Sequence, residues 1–254
     1  MKGVDISHYQ KGLTIQQIRD AGSAFAIIKL TEGDFLVDKA AFGLYHEAYC
    51  IGFPVGCYCY SHAAAPEQAR READFLLKTI NGFPMPCGIF LDVEEPKQLA
   101  LDHQALLSVL TAWCDTIRAA GYVPGVYGSE HNLWAKISPD GLPEDTLVWV
   151  AHYGQEPKMM CDVWQSGDSG RVDGYGGRVD TDETRSKRFE RLAETGFAGD
   201  AAVLTAEEAP TRDPIVMQLQ ACLRYAGCWP EEIDGLCSEM FRERLCQYAR
   251  DVTQ

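Results

Sequence analysis

The sequence predicts an α/β protein: a flattened, TIM-like β/α barrel of about five β/α units closed by short strands, followed by a small all-α domain. Between residues 2 and 127, short apolar runs alternate with amphipathic stretches of helical period, which is typical of a parallel sheet with crossover helices. More than four such units in under about 200 residues favour closure of the sheet into a barrel. The composition then shifts to Ala, Glu, Gly, Thr and Pro over residues 196–211, which indicates a linker.

Five strands and four helices are predicted in order along the first half of the chain. Each strand is a short apolar run, and each helix is an amphipathic stretch bounded by a start or stop signal. Asp102 is a good N-cap, and Gly22, Gly52 and Gly121 are plausible helix stops. The predicted strands are residues 2–6, 24–30, 55–60, 89–93 and 123–127, and the predicted helices are residues 14–21, 39–50, 66–79 and 103–120.

The pattern changes after residue 127. Residues 147–151 and 163–165 are strand-like with no long helix between them, so short strands and loops are expected to close the barrel. Residues 168–177 are rich in Gly, Asp and Ser and predict a surface loop, and residues 184–194 predict a charged helix that ends the first domain. The predicted domains are a barrel over residues 1–197, a linker over residues 198–212 and a small helical unit over residues 213–254.

Composition excludes several classes of protein. The chain of 254 residues is 46% hydrophobic and 24% charged, which is enough apolar material for a globular protein with one large core. Asp and Glu total 37 against 23 Lys and Arg, so the formal net charge of −14 repels a phosphate backbone and argues against nucleic acid as the partner. No apolar run reaches eighteen residues and no apolar signal core opens the chain, so we expect neither membrane insertion nor an export signal.

The ten cysteines are too sparse in a chain of this length for a disulfide scaffold, and no C-x-x-C pair occurs. Several lie in apolar strand-like runs, where Cys acts as a small hydrophobe. We expect mostly buried free thiols. Whether the four cysteines near the end form bridges is left open; they are Cys222, Cys228, Cys237 and Cys246.

The strand predicted at residues 89–93 ends in two carboxylates, Asp92 and Glu94, and Pro96 then prevents further pairing. Because side chains on a strand alternate, both acids project from one face, roughly 7 Å apart at Cβ. Paired carboxylates with pKa values pushed apart are what acid/base chemistry on a glycosidic bond needs. The alternative is that the two acids cap the following helix or hold a structural cation.

Polar and aromatic residues also follow the other predicted strands. Strand ends of a β/α barrel share one face, so these side chains are expected to form an acid-lined groove walled by aromatic rings, which suits a sugar polymer. For Trp149, inside an apolar run, ordinary core packing is the equal alternative. Besides Asp92 and Glu94, the residues at the strand ends are Asp5, Lys29, Glu32, Tyr58, Tyr60, Tyr127, Trp149, Trp164, Gln165, Asp180 and Asp182.

Seven ordered motifs over about residues 1–195 resemble the Chalaropsis-type lysozymes, glycoside hydrolase family 25. They are residues 5–10 (Asp-Ile-Ser-His-Tyr-Gln), 29–33 (Lys-Leu-Thr-Glu-Gly), 56–60 (Gly-Cys-Tyr-Cys-Tyr), 91–94 (Leu-Asp-Val-Glu), 126–127 (Val-Tyr), 164–165 (Trp-Gln) and 179–180 (Val-Asp). The resemblance implies a flattened β/α barrel and cleavage of the β-1,4 bond between N-acetylmuramic acid and N-acetylglucosamine in peptidoglycan.

By the same resemblance, Glu94 matches the general acid/base and Asp92 its partner carboxylate, while Asp5 and Asp180 match the remaining acids. The family implies net retention, with Asp92 orienting the substrate's acetamido group as internal nucleophile, and it implies no metal or other cofactor. The other predicted binding residues are Lys29, Glu32, Tyr58, Tyr60, Tyr127, Trp149, Trp164, Gln165 and Asp182. Two positions depart from the pattern: Cys59 replaces a common His, and Asp182 replaces a frequent Asn.

The last forty residues resemble a small three-helix peptidoglycan-binding module, through residues 216–223, Gly227 and residues 233–235 (Ile-Asp-Gly). Ser238 and Phe241 depart from that module's usual Gly and Thr. The alternative is a helical appendage packed on the barrel.

Two rival functions remain at the level of sequence. One is a carbohydrate-binding protein that has lost catalysis, against which the intact acids argue. The other is a metal-dependent hydrolase with Asp92, Glu94 and Asp180 as ligands, although scarce histidine at the strand ends argues against zinc. We expect a monomer that acts on the bacterial cell wall, either secreted or released as a phage lysin.

Overall fold

The computed structural model describes residues 1–196, which contain nine strands and six α-helices. The strands are β1 (Lys2–Ile6), β2 (Phe25–Glu32), β3 (Leu36–Val37), β4 (Val55–Tyr60), β5 (Ile89–Asp92), β6 (Pro124–Ser129), β7 (Leu147–Ala151), β8 (Val163–Gly170) and β9 (Val179–Thr184). The helices are α1 (Ile15–Asp20), α2 (Ala41–Cys50), α3 (Pro66–Ile80), α4 (Pro96–Leu99), α5 (His103–Ala119) and α6 (Lys187–Thr195).

Eight of the strands form a closed barrel, as the sequence predicts. The order β1-β9-β8-β7-β6-β5-β4-β2 is closed by parallel pairing of β1 with β2, and the short β3 adds only an antiparallel edge to β2. The expectation of parallel pairing holds for the barrel strands β1, β2 and β4 to β8, and it is wrong for β9, which runs antiparallel to both β8 and β1. An antiparallel strand needs only a short connection, and the chain between β8 and β9 has no room for a crossover helix.

The segment predicted as a surface loop, residues 168–177, is partly strand. β8 continues through Gly170 and pairs with β9 in an irregular register. Its Gly and Ser residues have weak strand propensity, but the pairing partner supplies the backbone hydrogen bonds that the residues themselves do not favour. The sequence therefore indicated where β8 begins and missed where it ends.

The helices begin and end at the residues that the sequence signals. The Asp102 carboxylate accepts a hydrogen bond from the Ala105 amide at the start of α5, and the chain after α5 turns at Gly121 with φ of 87°. Thr14 and Gln17 form a capping box at α1. The boundaries of α1, α2, α3 and α5 differ from the predicted ones by at most two residues, α6 begins three residues later than predicted, and the short helix α4 was not predicted.

The core has two layers. An outer layer lies between the strands and the helices, and an inner layer fills the barrel with Phe25, Ile27, Phe90, Leu147, Trp149 and Val163. Phe189 of α6 packs edge-on against Phe25 at the N-terminal end of the strands, with ring centroids 5.0 Å apart, and so closes that end of the barrel. A Cβ at Gly125 would lie 2.3 Å from the Phe90 ring, so the glycine makes room for this interior side chain.

The described cysteines have free thiols: Cys57, Cys59, Cys87 and Cys114 are buried, Cys161 is half-buried and Cys50 is exposed. This confirms the expected buried thiols for residues 1–196. The predicted linker, the helical unit and its four cysteines lie outside the described residues. No helix in the described part of the chain is long and apolar enough to cross a membrane.

Candidate active site

Side chains that face the barrel interior become polar toward the carboxyl ends of the parallel strands. On β5, Phe90 is followed on the same face by Asp92 and then by Glu94, just past the strand. The reversed β9 brings Asp180 opposite Asp5 of β1. We call this opening, lined by Asp5, Asp92, Glu94 and Asp180, the mouth. The structure thus brings together the four acids predicted as catalytic residues.

Asp5 and Asp92 form the inner part of the mouth, and each is only 6% exposed. Burial, with the charge of Asp180 adding to it, raises the pKa of Asp5 to about 8. Burial also raises the pKa of Asp92 well above its ordinary value, and the charges of Glu94 and Asp5 raise it further. The Oδ1 atom of Asp92 is buried and has no hydrogen-bond partner among the described residues. This atom therefore has an unfilled acceptor position in the inner part of the mouth.

Glu94 and Asp180 form the outer part of the mouth. The Glu94 side chain is exposed and Asp180 is half-buried. Loss of solvent around the carboxyl group and the charge of Asp180 raise the pKa of Glu94. The pKa of Asp180 is raised by burial and by the charge of Asp168. Glu94 is therefore an accessible carboxylic acid that holds its proton to higher pH than an ordinary Glu.

Basic side chains next to the mouth contact carboxylates. Lys29 Nζ lies 2.7 Å from Glu32 Oε2 and 5.0 Å from the centre of the Tyr60 ring. His62 bridges two carboxylates, with Nε2 3.2 Å from Glu32 Oε1 and Nδ1 3.5 Å from Glu95 Oε1. Tyr60 donates a hydrogen bond of 3.1 Å to Glu95. His62 and Glu95 were not predicted, because each lies a few residues past the end of its strand, in the loop that follows.

Gln165 supports Asp5. Its Nε2 donates to Asp5 Oδ2 at 2.7 Å, while its Oε1 accepts from the hydroxyls of Tyr127 at 2.8 Å and Tyr153 at 3.1 Å. Tyr127 is 6% exposed, so it acts from below the mouth, whereas Tyr153 is 50% exposed at the rim. Tyr153 was not predicted, although the sequence contains a signal for it. Trp149 and Ala151 of β7 face the barrel interior, and Tyr153 is the next alternate residue past the end of the strand.

Two aromatic residues that were predicted to wall the groove, Trp149 and Trp164, do not do so. Trp149 is 1% exposed and packs with Tyr127 and Phe90 as part of the inner core, so the core-packing alternative applies to it. Trp164 precedes the inward-facing Gln165 and therefore lies on the other face of β8. Its indole donates to the His152 carbonyl and its ring lies against Arg185. Neither ring reaches the mouth.

Tyr58 and Tyr60 remain at the mouth, and both are half-buried. Between them, Cys59 points outward; its thiol is buried and lies 3.8 Å from the Gly33 carbonyl oxygen. The departure from the family at Cys59 therefore does not touch the mouth. Asp182, the second departure, is 1% exposed and accepts a hydrogen bond from Trp149 Nε1 at 2.8 Å, so it lies beneath the mouth and out of reach of a ligand.

Within residues 1–196, no group of three or more His, Cys, Asp or Glu side chains is arranged to hold a metal ion.

Comparisons of the sequence and of the fold with known proteins point to the same family. The profile of glycosyl hydrolases family 25 matches residues 4–175. An autolytic lysozyme of Clostridium acetobutylicum is 28% identical over 186 residues, and the match covers 72% of this chain and 55% of that protein. The chain thus spans little more than half the length of that relative.

Lysozyme M1 of Streptomyces globisporus is 25% identical over 210 residues, covering 76% of this chain and 70% of that protein. The catalytic domain of endolysin ply40 from bacteriophage P40 of Listeria monocytogenes has the same fold, with a TM-score of 0.67 at 22% identity. That superposition covers 76% of this chain and 97% of the phage domain.

Proposed function

Because this chain belongs to glycosyl hydrolases family 25, we propose that it is a lysozyme that hydrolyses the β-1,4 bond between N-acetylmuramic acid and N-acetylglucosamine in bacterial peptidoglycan. The observation that carries the proposal is the mouth itself: two buried and two more accessible carboxyl groups converge, and the pKa of each is raised. Such pairs of carboxyl groups in unlike environments are the basis of glycosidic bond cleavage. Relatives named lysozyme support this choice of substrate.

Glu94 is the proposed proton donor. It is the most accessible acid of the mouth, and its raised pKa keeps the carboxylic acid protonated in weakly acidic solution. As the bond between the sugars breaks, Glu94 gives its proton to the leaving oxygen. The resulting carboxylate then takes a proton from the water that attacks in the second step.

Asp92 is the proposed partner of the substrate's acetamido group. Its unpaired Oδ1 is suited to accept the acetamido N–H. The acetamido carbonyl oxygen then attacks the anomeric carbon as the leaving oxygen departs, giving a cyclic intermediate that water opens with net retention. Asp5 and Asp180 would stabilise the positive charge that develops on the sugar ring.

Sugar contacts are proposed for Tyr58, Tyr60 and Tyr153 at the mouth and its rim. Lys29 and Glu32, whose ion pair lies beside Tyr60, complete this side. Gln165, Tyr127, Trp149 and Asp182 support the mouth from below.

The proposed place of action is the bacterial cell wall, and the proposed state is a monomer. We propose further that residues 213–254 bind the wall and that the linker of residues 198–212 joins them to the barrel. Deletion of residues 199–254 should then weaken action on intact walls while soluble muropeptides are cleaved at nearly the full rate. Equal loss on both substrates would contradict a wall-binding role.

The test of catalysis is substitution of the proton donor. Glu94→Gln keeps the shape of the side chain but cannot give up a proton, so turnover of purified peptidoglycan should fall by at least about 100-fold. Mass spectrometry of the wild-type products should show N-acetylmuramic acid at the reducing end. Glu67→Gln, at an exposed position of α3, is the control and should leave turnover unchanged. Near-normal activity of Glu94→Gln would reject the assignment, and catalysis abolished by a chelator would favour the metal-dependent alternative.

A further inference from the structure

The side chain of Asp182 is a carboxyl group that is buried below the mouth. It points into the barrel from β9, one layer deeper than Asp180, and is 1% exposed. Its Oδ1 accepts the hydrogen bond from Trp149, but its Oδ2 is also buried and has no donor among the described residues. A buried carboxylate oxygen without a donor is costly, so the ionised form of Asp182 is poorly accommodated.

The neighbouring carboxyl group is that of Asp5 on the adjacent strand β1. The two side chains are within hydrogen-bonding reach of each other. The other charged or titratable groups that face the pair are three acids, Asp92, Asp180 and Glu94, and the hydroxyls of Tyr58, Tyr127 and Tyr153. The nearby cation, Lys29, is paired with Glu32. Two adjoining carboxylates without a cation cannot both be ionised, so a single proton is expected between them.

We propose that Asp182 carries this proton on Oδ2 and donates it to Asp5, which makes Asp182 a positioning residue that keeps Asp5 ionised and fixed in orientation. The inference rests on the proposed function only for the role of Asp5 in the reaction. The proposed hydrogen bond between the two groups does not depend on whether the protein cleaves peptidoglycan.

The proton belongs on Asp182 because burial disfavours the charge more strongly there than on Asp5, whose carboxylate lies in the mouth and is 6% exposed. An ionised Asp5 receives two donors, the Gln165 amide and the Asp182 hydroxyl. The Gln165 amide cannot readily turn over, since the Tyr127 and Tyr153 hydroxyls both donate to its oxygen. An ionised Asp182 would also receive two donors, the Trp149 indole and the hydroxyl of a protonated Asp5, but its charge would lie deeper in the barrel, at 1% exposure. The direction of the pKa effects agrees: the contact raises the pKa of Asp182 and lowers that of Asp5.

Paired amide substitutions test the position of the proton. In Asp182→Asn the amide can still accept from Trp149 and donate to Asp5, so kcat/KM on peptidoglycan should fall by less than about tenfold. In Asp5→Asn the proposed charge is lost, and kcat/KM should fall by at least about 100-fold. Asp182→Leu has the volume but no donor, and it should lose activity while its circular dichroism spectrum remains that of the wild type.

Counting protons gives a readout that does not depend on activity. In the unfolded chain Asp182 ionises near its ordinary pKa, whereas in the folded chain it retains the proton. Between about pH 5 and 7, unfolding of the wild type should therefore release about one proton more than unfolding of Asp182→Asn. The slope of the free energy of unfolding against pH measures this difference.

Equal slopes in wild type and Asp182→Asn would overturn the proposal, as would an inactive Asp182→Asn beside an active Asp5→Asn. Full activity of Asp182→Leu would overturn it too, because the donor would then be dispensable. If the wild type fails to cleave peptidoglycan, the proposed function is rejected, while the proton count still decides whether Asp182 is protonated.

Discussion

Glu94 differs from an ordinary surface glutamate because of what lies around it. Partial desolvation and the charge of Asp180 raise its pKa, and a general acid must be protonated to act. As pH rises through this raised pKa, kcat/KM should therefore fall, and the optimum should lie on the acid side of neutral. Asp180→Asn removes one of the two causes and should move the alkaline limb of the pH profile to lower pH.

The profile of kcat/KM against pH, measured for wild type and Asp180→Asn, checks this prediction. Asp115→Asn, an exposed partner of Arg118, is the control and should leave the limb where it is. An optimum above pH 8, or an alkaline limb that Asp180→Asn leaves in place, would show that Glu94 is not the group that titrates.

Residue-level prediction succeeded where strand alternation decides direction and failed where side-chain contacts decide exposure. Alternation alone placed Asp92 and Glu94 on one face. The same rule, applied to Gln165, would have turned Trp164 away from the mouth. Burial of Trp149 could not be predicted in this way, because it depends on the ring of Phe90 and on the carboxylate of Asp182, which come from distant parts of the chain.

At the scale of elements, α6 is the piece that closes the N-terminal end of the barrel. Phe189 is fully buried against Phe25, and a cavity there would open the inner core. Phe189→Ala should lower the free energy of unfolding by about 3–5 kcal/mol. Arg191→Ala, on the exposed face of the same helix, is the control and should change it by at most about 0.5 kcal/mol.

Urea denaturation of the two variants measures the difference. If Phe189→Ala were as stable as Arg191→Ala, α6 would be an accessory to the barrel and not part of its core. The helix itself was predicted from the charged residues of this segment. Its role in closing the N-terminal end of the barrel was not predicted, since the sequence does not show which end of the barrel the chain reaches after the reversed strand β9.

At the scale of the whole molecule, five carboxyl groups in and below the mouth, together with Glu72 of α3, have raised pKa values. The unfolded chain ionises them near pH 4, whereas the folded chain retains their protons to higher pH. Unfolding therefore releases protons, and each such group lowers stability by about 1.4 kcal/mol per pH unit across its window. Asp5 and Asp182 share one retained proton, and for this pair the window extends to about pH 8.

We therefore expect a higher Tm at pH 5 than at pH 8, and the formal net charge of −14 acts in the same direction. Glu32 and Glu130, whose pKa values are lowered, oppose this trend only as pH falls through their folded pKa values. Differential scanning calorimetry at several pH values checks the trend. A Tm that is higher at pH 8 would mean that the acids of the mouth are ionised in the folded protein.

Barrel closure through β1 and β9 has a consequence for synthesis. Asp5 lies in the first strand of the barrel to leave the ribosome, whereas its partner strand β9, which carries Asp180 and Asp182, is translated after every other strand of the barrel. Until then β1 lacks one neighbour, and contacts this distant in sequence form slowly. The four carboxyl groups of the mouth can meet only when β9 has left the ribosome, so a nascent chain that still lacks β9 has an incomplete mouth.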